Sequence, residues 1–539
     1  MAKPKTPNQK RKYGELNKRL AKYVMLVESI YEDLNLEAAK IVGITDFTID
    51  SDRPFMWSDY PQTRKRIRDL QERFVEDIGA VIYSGTSEEW KNSNEVQDLL
   101  ANKVLQTYVA TIGKEKYEIL YQPNNDALKA FQQRKDKGFT ISDKLWNQST
   151  LYKQELEEAI SCAIQKGTIA ITLSKQISKY LLDFPQLQKD YKERFGKASR
   201  AMDCEYRSIR LAASEINMAY RQAENLRWQQ MDFVVGYEIK LSNNHTCNGK
   251  PFQDICDILA GKYPKDFQWT GWHPLCRCYK IPILKTEEEF WEWDGRSEAT
   301  TASVNEVKDV PDAFKKWVLD NQERISTAKK RNTLPYFLRD NKSVYQKITV
   351  ESSISEIVKR ASSVGDEVQS IAERIAIKNG GYVTPINLKS TTSITRKVIT
   401  EGITPYDIKD AVRTTIIVPK SRIEDVLEEM YKTEGFLRLK RQKPESFMGY
   451  SGNIVNIRTT NGLTAEIQVN TERMIFAKER PEYAKRILGK KRWEEIHNET
   501  GMEGGLGHKY YEQWRILDKS SNEALKIVEK SIEYYSHFR

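Results

Sequence analysis

Two groups of residues in this chain have the types and spacing to do chemistry. Lys389, Ser393 and Lys397 recur at intervals of four, which on a helix would place all three within about 80° of one another. Two ammonium groups and a hydroxyl on one face suit the oxygens of a triphosphate, although a solvated face in a basic protein carries the same spacing. Further on, Ala465, Ile467 and Val469 alternate with Glu466, Gln468 and Asn470, so a strand there turns one carboxylate and two amides away from its apolar face. Upstream, Arg438, Lys440, Arg441 and Lys443 precede Gly449 and Tyr450, supplying cations and then a ring able to stack on a base. The second group is Cys247, Cys256, His273, Cys276 and Cys278, gathered within 32 residues. These are soft ligands suited to zinc, set among turn-forming Asn, Gly and Pro. Their spacing is unlike a paired C-x-x-C finger. A closed site needs only four of the five, so a metal, a crosslink and reduced structural cysteines all stay open.

The elements that must position these residues fall into two styles. Thr414 to Val418 is β-branched and stopped by Pro419, and Ser421 with Glu424 has the form of a capping box for a helix running to about Thr433. Asn453 to Arg458 and Leu463 to Asn470 are alternating runs joined through Asn461-Gly462, a strong hairpin signal. Ahead of them, Ile354, Ile357, Val358, Ala361, Val368, Ile371, Ala372 and Ile375 form a helical stripe that ends at Asn379-Gly380-Gly381. An α/β domain with a mixed sheet is therefore expected over 346–539. The first half reads as mainly α-helical, with periodic runs at Lys18 to Lys40, Arg64 to Ile82, Leu151 to Ile164 and Lys197 to Gln230. A strand at Phe233 to Lys240 leads into the cysteine cluster. Thr286 to Asn341 has isolated aromatics and no sustained period, which predicts a linker at 285–345. The expected architecture is multidomain: a helical region 1–150, a helical domain 151–284 carrying the Cys/His cluster, the linker, and the α/β domain.

Composition narrows the class. At 539 residues the chain exceeds one compact core, and 39% apolar with 30% charged residues builds cores under a solvated surface. The net charge of +10 is spread widely, which allows nucleic-acid binding without demanding it. Six cysteines are too few for a disulfide scaffold, so synthesis in a reducing cytoplasm is expected. The basic N-terminus lacks a following apolar run, and no stretch reaches bilayer length, so neither export nor a membrane partner is expected.

Two resemblances follow from these motifs. Gly261-Lys-Tyr-Pro, then Trp272-His273-Pro274-Leu275-Cys276-Arg277-Cys278, resembles the end of the phage Mu protein F type of minor head domain, over about Leu151 to Leu284. That implies a largely helical head-morphogenesis domain in a phage virion, made in the bacterial host cytoplasm, with portal and capsid proteins as partners. It implies no catalytic role.

The second covers about Ile354 to Arg515. Lys389, Ser393 and Lys397 fit the K-x3-S-x3-K run of the RelA/SpoT synthetases, Asp410 to Val418 resembles their Asp-to-Arg strand, and Gly449-Tyr450 resembles their acceptor-stacking pair. Glu466-Ile-Gln-Val-Asn-Thr471, followed by Met474, is close to their EIQIRT signature. The resemblance implies pyrophosphate transfer from ATP to a nucleotide or RNA hydroxyl, with Mg²⁺ as cofactor and a toxin or effector role. Lys389, Ser393, Lys397 and Arg413 would hold the ATP phosphates. Glu466 and Asp410 would be the catalytic and metal-binding acids. Tyr450, Lys440, Lys443 and Gln468 would face the acceptor, which is GDP, GTP, an adenine nucleotide or tRNA. Three positions depart from the family: Asn387 stands for an Arg, Ile408 for the metal-binding Asp, and the region of Ile454 for a His. Asp410, at the same strand parity as Ile408, is the substitute carboxylate. The alternative is a structural head protein whose C-terminal domain is a catalytically silent nucleotide-binding or interaction module.

Overall fold

The computed structural model describes residues 6–43, 53–108, 114–163, 170–242, 246–247, 250–251, 253–291, 302–442 and 447–539. The chain divides into two compact units, Met1–Tyr345 and Gln346–Arg539. Among the described residues no helix is long and apolar enough to cross a membrane.

The first unit is built on helices Gln9–Val42, Arg64–Thr107, Ile141–Ala163, Ala170–Leu182 and Cys204–Gln230. Asn8 and Asp203 open the first and last of these by accepting from the backbone N–H of Arg11 and Tyr206. Residues at three and four residue intervals, among them Val27, Tyr31, Leu34, Leu70, Phe74, Leu145, Tyr152 and Leu156, share one core. The helix Arg64–Thr107 runs well past Ile82, the end of the expected helical run. Its second half is buried through Trp90, Leu100 and Val104 and through polar residues as well: Gln97 Oε1 accepts from Trp228 Nε1 at 2.7 Å, and Glu89 pairs with Arg19 at 2.6 Å. Gly85 permits close helix packing, since a Cβ there would meet Ile216 Cδ1 at 2.5 Å.

Two expected boundaries do not hold. Helix Ile141–Ala163 runs straight through position 150, and its Leu145, Tyr152 and Leu156 pack with Tyr31 and Phe74, so 1–150 and 151–284 share one core. Much of the stretch 285–345 is no bare linker, because helices Asp312–Asp320, Gln322–Lys330 and Tyr336–Arg339 form there. Phe314 and Phe337 are buried, with rings 5.4 Å from Phe267 and 5.2 Å from Trp272. Helices this short show no sustained period, so only scattered aromatics marked them in the sequence. Strands β1 (Val234–Lys240), β4 (Gly261–Tyr263) and β5 (Tyr279–Leu284) form a small sheet in the order β4-β1-β5, and β2 (Thr246–Cys247) pairs with β3 (Lys250–Pro251).

The second unit holds a six-stranded mixed sheet, as expected of 346–539. Its strands are β6 (Tyr382–Val383), β7 (Asn387–Leu388), β8 (Val412–Ile417), β9 (Phe436–Arg441), β10 (Asn453–Arg458) and β11 (Thr464–Asn470). The order is β6-β8-β11-β10-β9, with β7 also on β8. β11 runs parallel to β8, and the remaining pairs are antiparallel. The β10–β11 hairpin turns at Gly462, whose φ of 79° is the left-handed geometry that glycine allows. One face of the sheet is apolar: Val412, Ile416, Val455, Ile457, Ala465, Ile467 and Val469 pack with Ile354 and Ile357, with Val368 and Ala372 of helix Gly365–Lys378, and with Val426 and Leu427 of helix Ile423–Tyr431. The Ser421 capping box does not form. Lys420–Arg422 is a 3₁₀ turn, and Glu424 instead takes a bidentate pair with Arg441 at 2.6 and 2.7 Å.

Candidate active site

Strand alternation leaves the polar residues on the second face, where the register sets them in rows. Asn387, Arg413, Glu466, Asn456 and Arg438 lie side by side across β7, β8, β11, β10 and β9. Thr415, Gln468, Ile454 and Lys440 form the next row. Glu466 is therefore flanked by Arg413 and Asn456. Its Oε1 accepts from Gln468 Nε2 at 2.7 Å, and Gln468 Oε1 accepts from Lys478 Nζ at 2.8 Å. Asn456 is buried, and its Oδ1 accepts from Arg438 Nε at 2.7 Å.

Lys389, Ser393 and Lys397 do not share a helix face. The helix begins at Thr391, capped by Ser390, whose hydroxyl accepts from Ser393 N–H at 3.2 Å. Lys389 lies just before it, its N–H donating to the Ala411 carbonyl at 2.9 Å, which continues the β7–β8 pairing. The sequence spacing missed this because the cap shortens the helix at its start. The two lysines nevertheless converge: Lys389 Nζ lies 2.5 Å from Asp410 Oδ2 and Lys397 Nζ 3.0 Å from Oδ1. Burial alone would raise the Asp410 pKa, but the bonds and charges of the two lysines outweigh it and hold the carboxyl below its usual range. Ile408 is buried in the core, so that position offers no ligand.

Tyr450 is half-buried among residues of the C-terminal helices. Its hydroxyl bonds with the Asn470 amide, at 2.9 Å from Nδ2, and its ring lies 5.8 Å from that of Tyr535. The turn before it is held by helix Asn522–Ser536, where Ser531 Oγ donates to the Met448 carbonyl at 2.9 Å, and by Arg539 Nη2, which donates to the Gly449 carbonyl at 2.9 Å. Lys440 is exposed on β9, while Lys443 lies outside the described residues.

Sequence reasoning missed Lys478, Glu479 and Asn456. Lys478 closes helix Glu472–Lys478 and reaches back to Gln468, within 5.4 Å of the Tyr450 ring and 3.1 Å of Glu479. Burial pulls the Lys478 pKa down, but Tyr450 and Glu479 beside it push it up more strongly. Burial likewise raises Glu479, and the charges of Lys478, Arg413 and His508 bring it below the usual range. Lys478 follows Met474 by four residues, one helical turn on, and that spacing was the available signal.

Among the described residues, clusters of three metal-capable side chains occur in the first unit only. Mg²⁺ does not need such a cluster, since one or two carboxylates with substrate phosphates satisfy it. Of the two acids expected in that role, Asp410 is paired with Lys389 and Lys397, and Glu466 accepts from Gln468.

No family model matches the chain. Over 182 residues, 33% of its length, it is 36% identical to the (p)ppApp synthetase toxin Tas1 of Pseudomonas aeruginosa (strain UCBPP-PA14). A third of the chain is Tas1-like. The match spans 41% of that relative. Among solved structures, the Type VI effector Tas1 in complex with its immunity protein is 35% identical over 97% of that chain and 35% of this one, with a TM-score of 0.33. Small alarmone synthetase 1 from Bacillus subtilis is 14% identical over 92% of its chain and 34% of this one, with a TM-score of 0.20. The head-protein resemblance of the first unit rests on its own motif.

Proposed function

We propose that the second unit is an ATP-dependent pyrophosphokinase of the small alarmone synthetase type, acting as a toxin on an adenine nucleotide acceptor. The observation that carries this reading is the polar row centred on Glu466, with Arg413 beside it and Gln468 fixed against its carboxylate. The 36% identity to a (p)ppApp synthetase toxin supports the choice of chemistry and acceptor. Lys389, Ser393, Lys397 and Arg413 would take the donor phosphates. Tyr450 would meet the acceptor base, with Lys440, Lys443 and Gln468 on the acceptor side. An acceptor hydroxyl then attacks the β-phosphorus in line: the new O–P bond forms, the α–β bridging bond breaks with AMP as leaving group, and Glu466 orients the hydroxyl and receives its proton. Mg²⁺, held by Asp410 and Glu466, would neutralise phosphate charge. Positioning and electrostatics supply most of such catalysis.

On the same reading the first unit is a minor head component that carries this domain in a phage virion after synthesis in the host cytoplasm, with portal and capsid proteins as neighbours. A toxin made inside its producer also requires a neutralising partner protein. The second reading, a silent module on a structural protein, is favoured by Asn387, a neutral residue in the row where the family has a cation, and by buried Ile408.

One experiment separates the two. The full chain is incubated with γ-labelled ATP, Mg²⁺ and separate pools of GDP, GTP, ADP, ATP and tRNA, alongside Glu466→Ala. Label is expected on the adenine nucleotides and is lost in the variant. Label on a guanine nucleotide or tRNA instead overturns the acceptor. No label on any pool from the wild-type chain overturns the enzyme.

A further inference from the structure

The cysteine cluster of the first unit stands apart from the proposed reaction, and its geometry is specific. Cys256, Cys276 and Cys278 are each 1% exposed, and their sulfurs lie within 4.8 Å of one another. Cys256 Sγ is 3.8 Å from Cys276 Sγ and 3.2 Å from His273 Nε2. A disulfide would bring the first pair to about 2.05 Å. Two thiolates bound tetrahedrally at about 2.3 Å from one zinc stand about 3.8 Å apart, and a thiolate and an imidazole nitrogen about 3.6 Å apart. These two separations fit a metal better than a crosslink; His273 groups within 4.8 Å with Cys256 and Asp254 but not with both Cys276 and Cys278, so its ring closes in on those two sulfurs when the ion binds.

We propose that Cys256, Cys276, Cys278 and His273 form a closed structural zinc site that ties helix Ile255–Leu259 to the loop before β5.

The surrounding residues prepare each ligand. His273 Nδ1 donates to the Pro274 carbonyl at 2.7 Å, which fixes the proton there and leaves the Nε2 lone pair facing Cys256, the outer-shell pattern of ligating histidines. Asp254 Oδ1 accepts from Cys256 N–H at 2.7 Å and orients that cysteine, while its Oδ2 lies 3.3 Å from His273 Nε2, beside the metal position. Gly271, at φ 130°, lets the loop close over the cluster, since a Cβ there would meet Arg221 Nη1 at 2.6 Å and Cys276 Cβ at 3.2 Å.

Charge balance gives an independent reason for the ion. Arg221 is buried, and its Nη2 donates to the carbonyls of Cys276 and Cys278 at 2.7 and 2.8 Å. Beside it lies the buried pair Lys280–Glu224, 3.2 Å apart. Two cations and one carboxylate leave one positive charge in a dry interior, which is costly without compensation. Zinc with three thiolates carries one negative charge and offsets it, while the Asp254 carboxylate at the edge of the site, 25% exposed, keeps its contact with solvent. Three protonated thiols would not offset it. Four ligands complete the set without Cys247, whose side chain lies outside the described residues.

The test is the metal content of the full chain, purified without chelator, with a second measurement after exchange to Co²⁺. About one equivalent of zinc is expected per chain, released when a mercurial reagent titrates the thiols, and the cobalt form should show thiolate charge-transfer bands with tetrahedral d–d intensity. Cys247→Ser should keep the full equivalent, whereas Cys276→Ser and His273→Ala should lose it or bind it much more weakly. The cobalt spectrum of the wild-type chain answers even where a variant fails to fold. A metal-free chain with all six thiols reactive on unfolding and no cobalt thiolate bands overturns the proposal. So does iron in place of zinc, or zinc that depends on Cys247 and survives His273→Ala.

Discussion

Lys478→Met is the most informative single change in the proposed reaction centre. The Gln468 side chain has two orientations that differ by exchange of its oxygen and nitrogen. Lys478, donating to Oε1 at 2.8 Å, selects the one in which Nε2 faces the Glu466 carboxylate. Without the lysine the reversed orientation opens, and there an amide oxygen would meet the carboxylate. A hydrogen bond from a charged donor contributes about 1.5–3 kcal/mol. Lost from the positioning of Glu466 in the transition state, that is a fall of roughly 10- to 100-fold in kcat. The KM for ATP should change less than kcat, because of the proposed donor contacts only Arg413 lies within electrostatic reach of Lys478, while Lys389 and Lys397 are held by Asp410. Lys478→Arg keeps a cationic donor and should recover most of the rate. The assay is pyrophosphate transfer by the full chain at saturating and limiting ATP, with thermal unfolding in parallel, since Glu479 loses its 3.1 Å partner in the Met variant. A kcat within about twofold of wild type in a folded Lys478→Met chain would refute the relay. A rate that falls only with the melting temperature, and that Arg does not recover, would assign Lys478 a purely structural part.

Three further predictions concern stability. Asp410→Asn should cost the second unit about 1–3 kcal/mol at neutral pH by leaving Lys389 and Lys397 facing each other without a counter-charge. Because the folded pKa of Asp410 is lowered, its contribution is full above the unfolded value of about 3.9 and disappears as pH falls through the folded value; denaturation of wild type and variant should therefore converge on acidification, and a constant gap would contradict the pairing. Glu205 is pushed up to about 7 by burial first and then by Glu28, Asp203 and Glu32, so the folded state holds a proton that the unfolded chain releases and stability falls as pH rises from about 4.5 to 7. Glu205→Gln should accordingly stabilise the first unit by up to about 3 kcal/mol at pH ~8 and hardly at all at pH ~4.5, as read from thermal unfolding. Gly435→Ala should destabilise the sheet by about 2–4 kcal/mol in chemical denaturation, since φ is 81° there and a Cβ would lie 2.3 Å from the Arg458 carbonyl oxygen; a change below about 0.5 kcal/mol would show that the turn can relax.

The second unit was the more legible in sequence, for a physical reason. Its sheet is apolar on one face and polar on the other, so the alternation at Asn453–Arg458 and Thr464–Asn470 and the Asn461-Gly462 turn stood out. What alternation cannot show is register, and register is what sets Glu466 between Arg413 and Asn456. The lysine pair was read with the wrong geometry because a capping Ser390 excludes Lys389 from the helix, yet strand pairing brings it to Asp410 all the same. In the first unit the buried apolar residues beyond Ile82, such as Trp90, Leu100 and Val104, are interleaved with buried polar ones, among them Glu89, Asn94 and Gln97. Polar residues buried through hydrogen bonds blur the hydrophobic period that marks a helix. The short helices of 302–345 fail for the opposite reason, because Asp312–Asp320 and Tyr336–Arg339 contribute two aromatics each, Gln322–Lys330 none, and all have too few turns to repeat a pattern.

Several polar groups of the proposed site are engaged with one another before any ligand arrives. Asp410 holds Lys389 and Lys397, Glu479 holds Lys478, and Gln468 occupies the Glu466 carboxylate. On the proposed reading a triphosphate must therefore replace Asp410 as the partner of both lysines, and bare phosphate oxygens would repel that carboxylate as they approach. A divalent cation would remove the conflict: Asp410 would serve as one of its ligands, leaving Lys389 and Lys397 to the phosphate oxygens. The same exchange disfavours a monophosphate, which has too few oxygens to satisfy two lysines and a metal at once. On that reading the salt bridges around Asp410 would select for metal-bound polyphosphate, and would explain why a partly buried acid sits between two cations in a site that binds an anion.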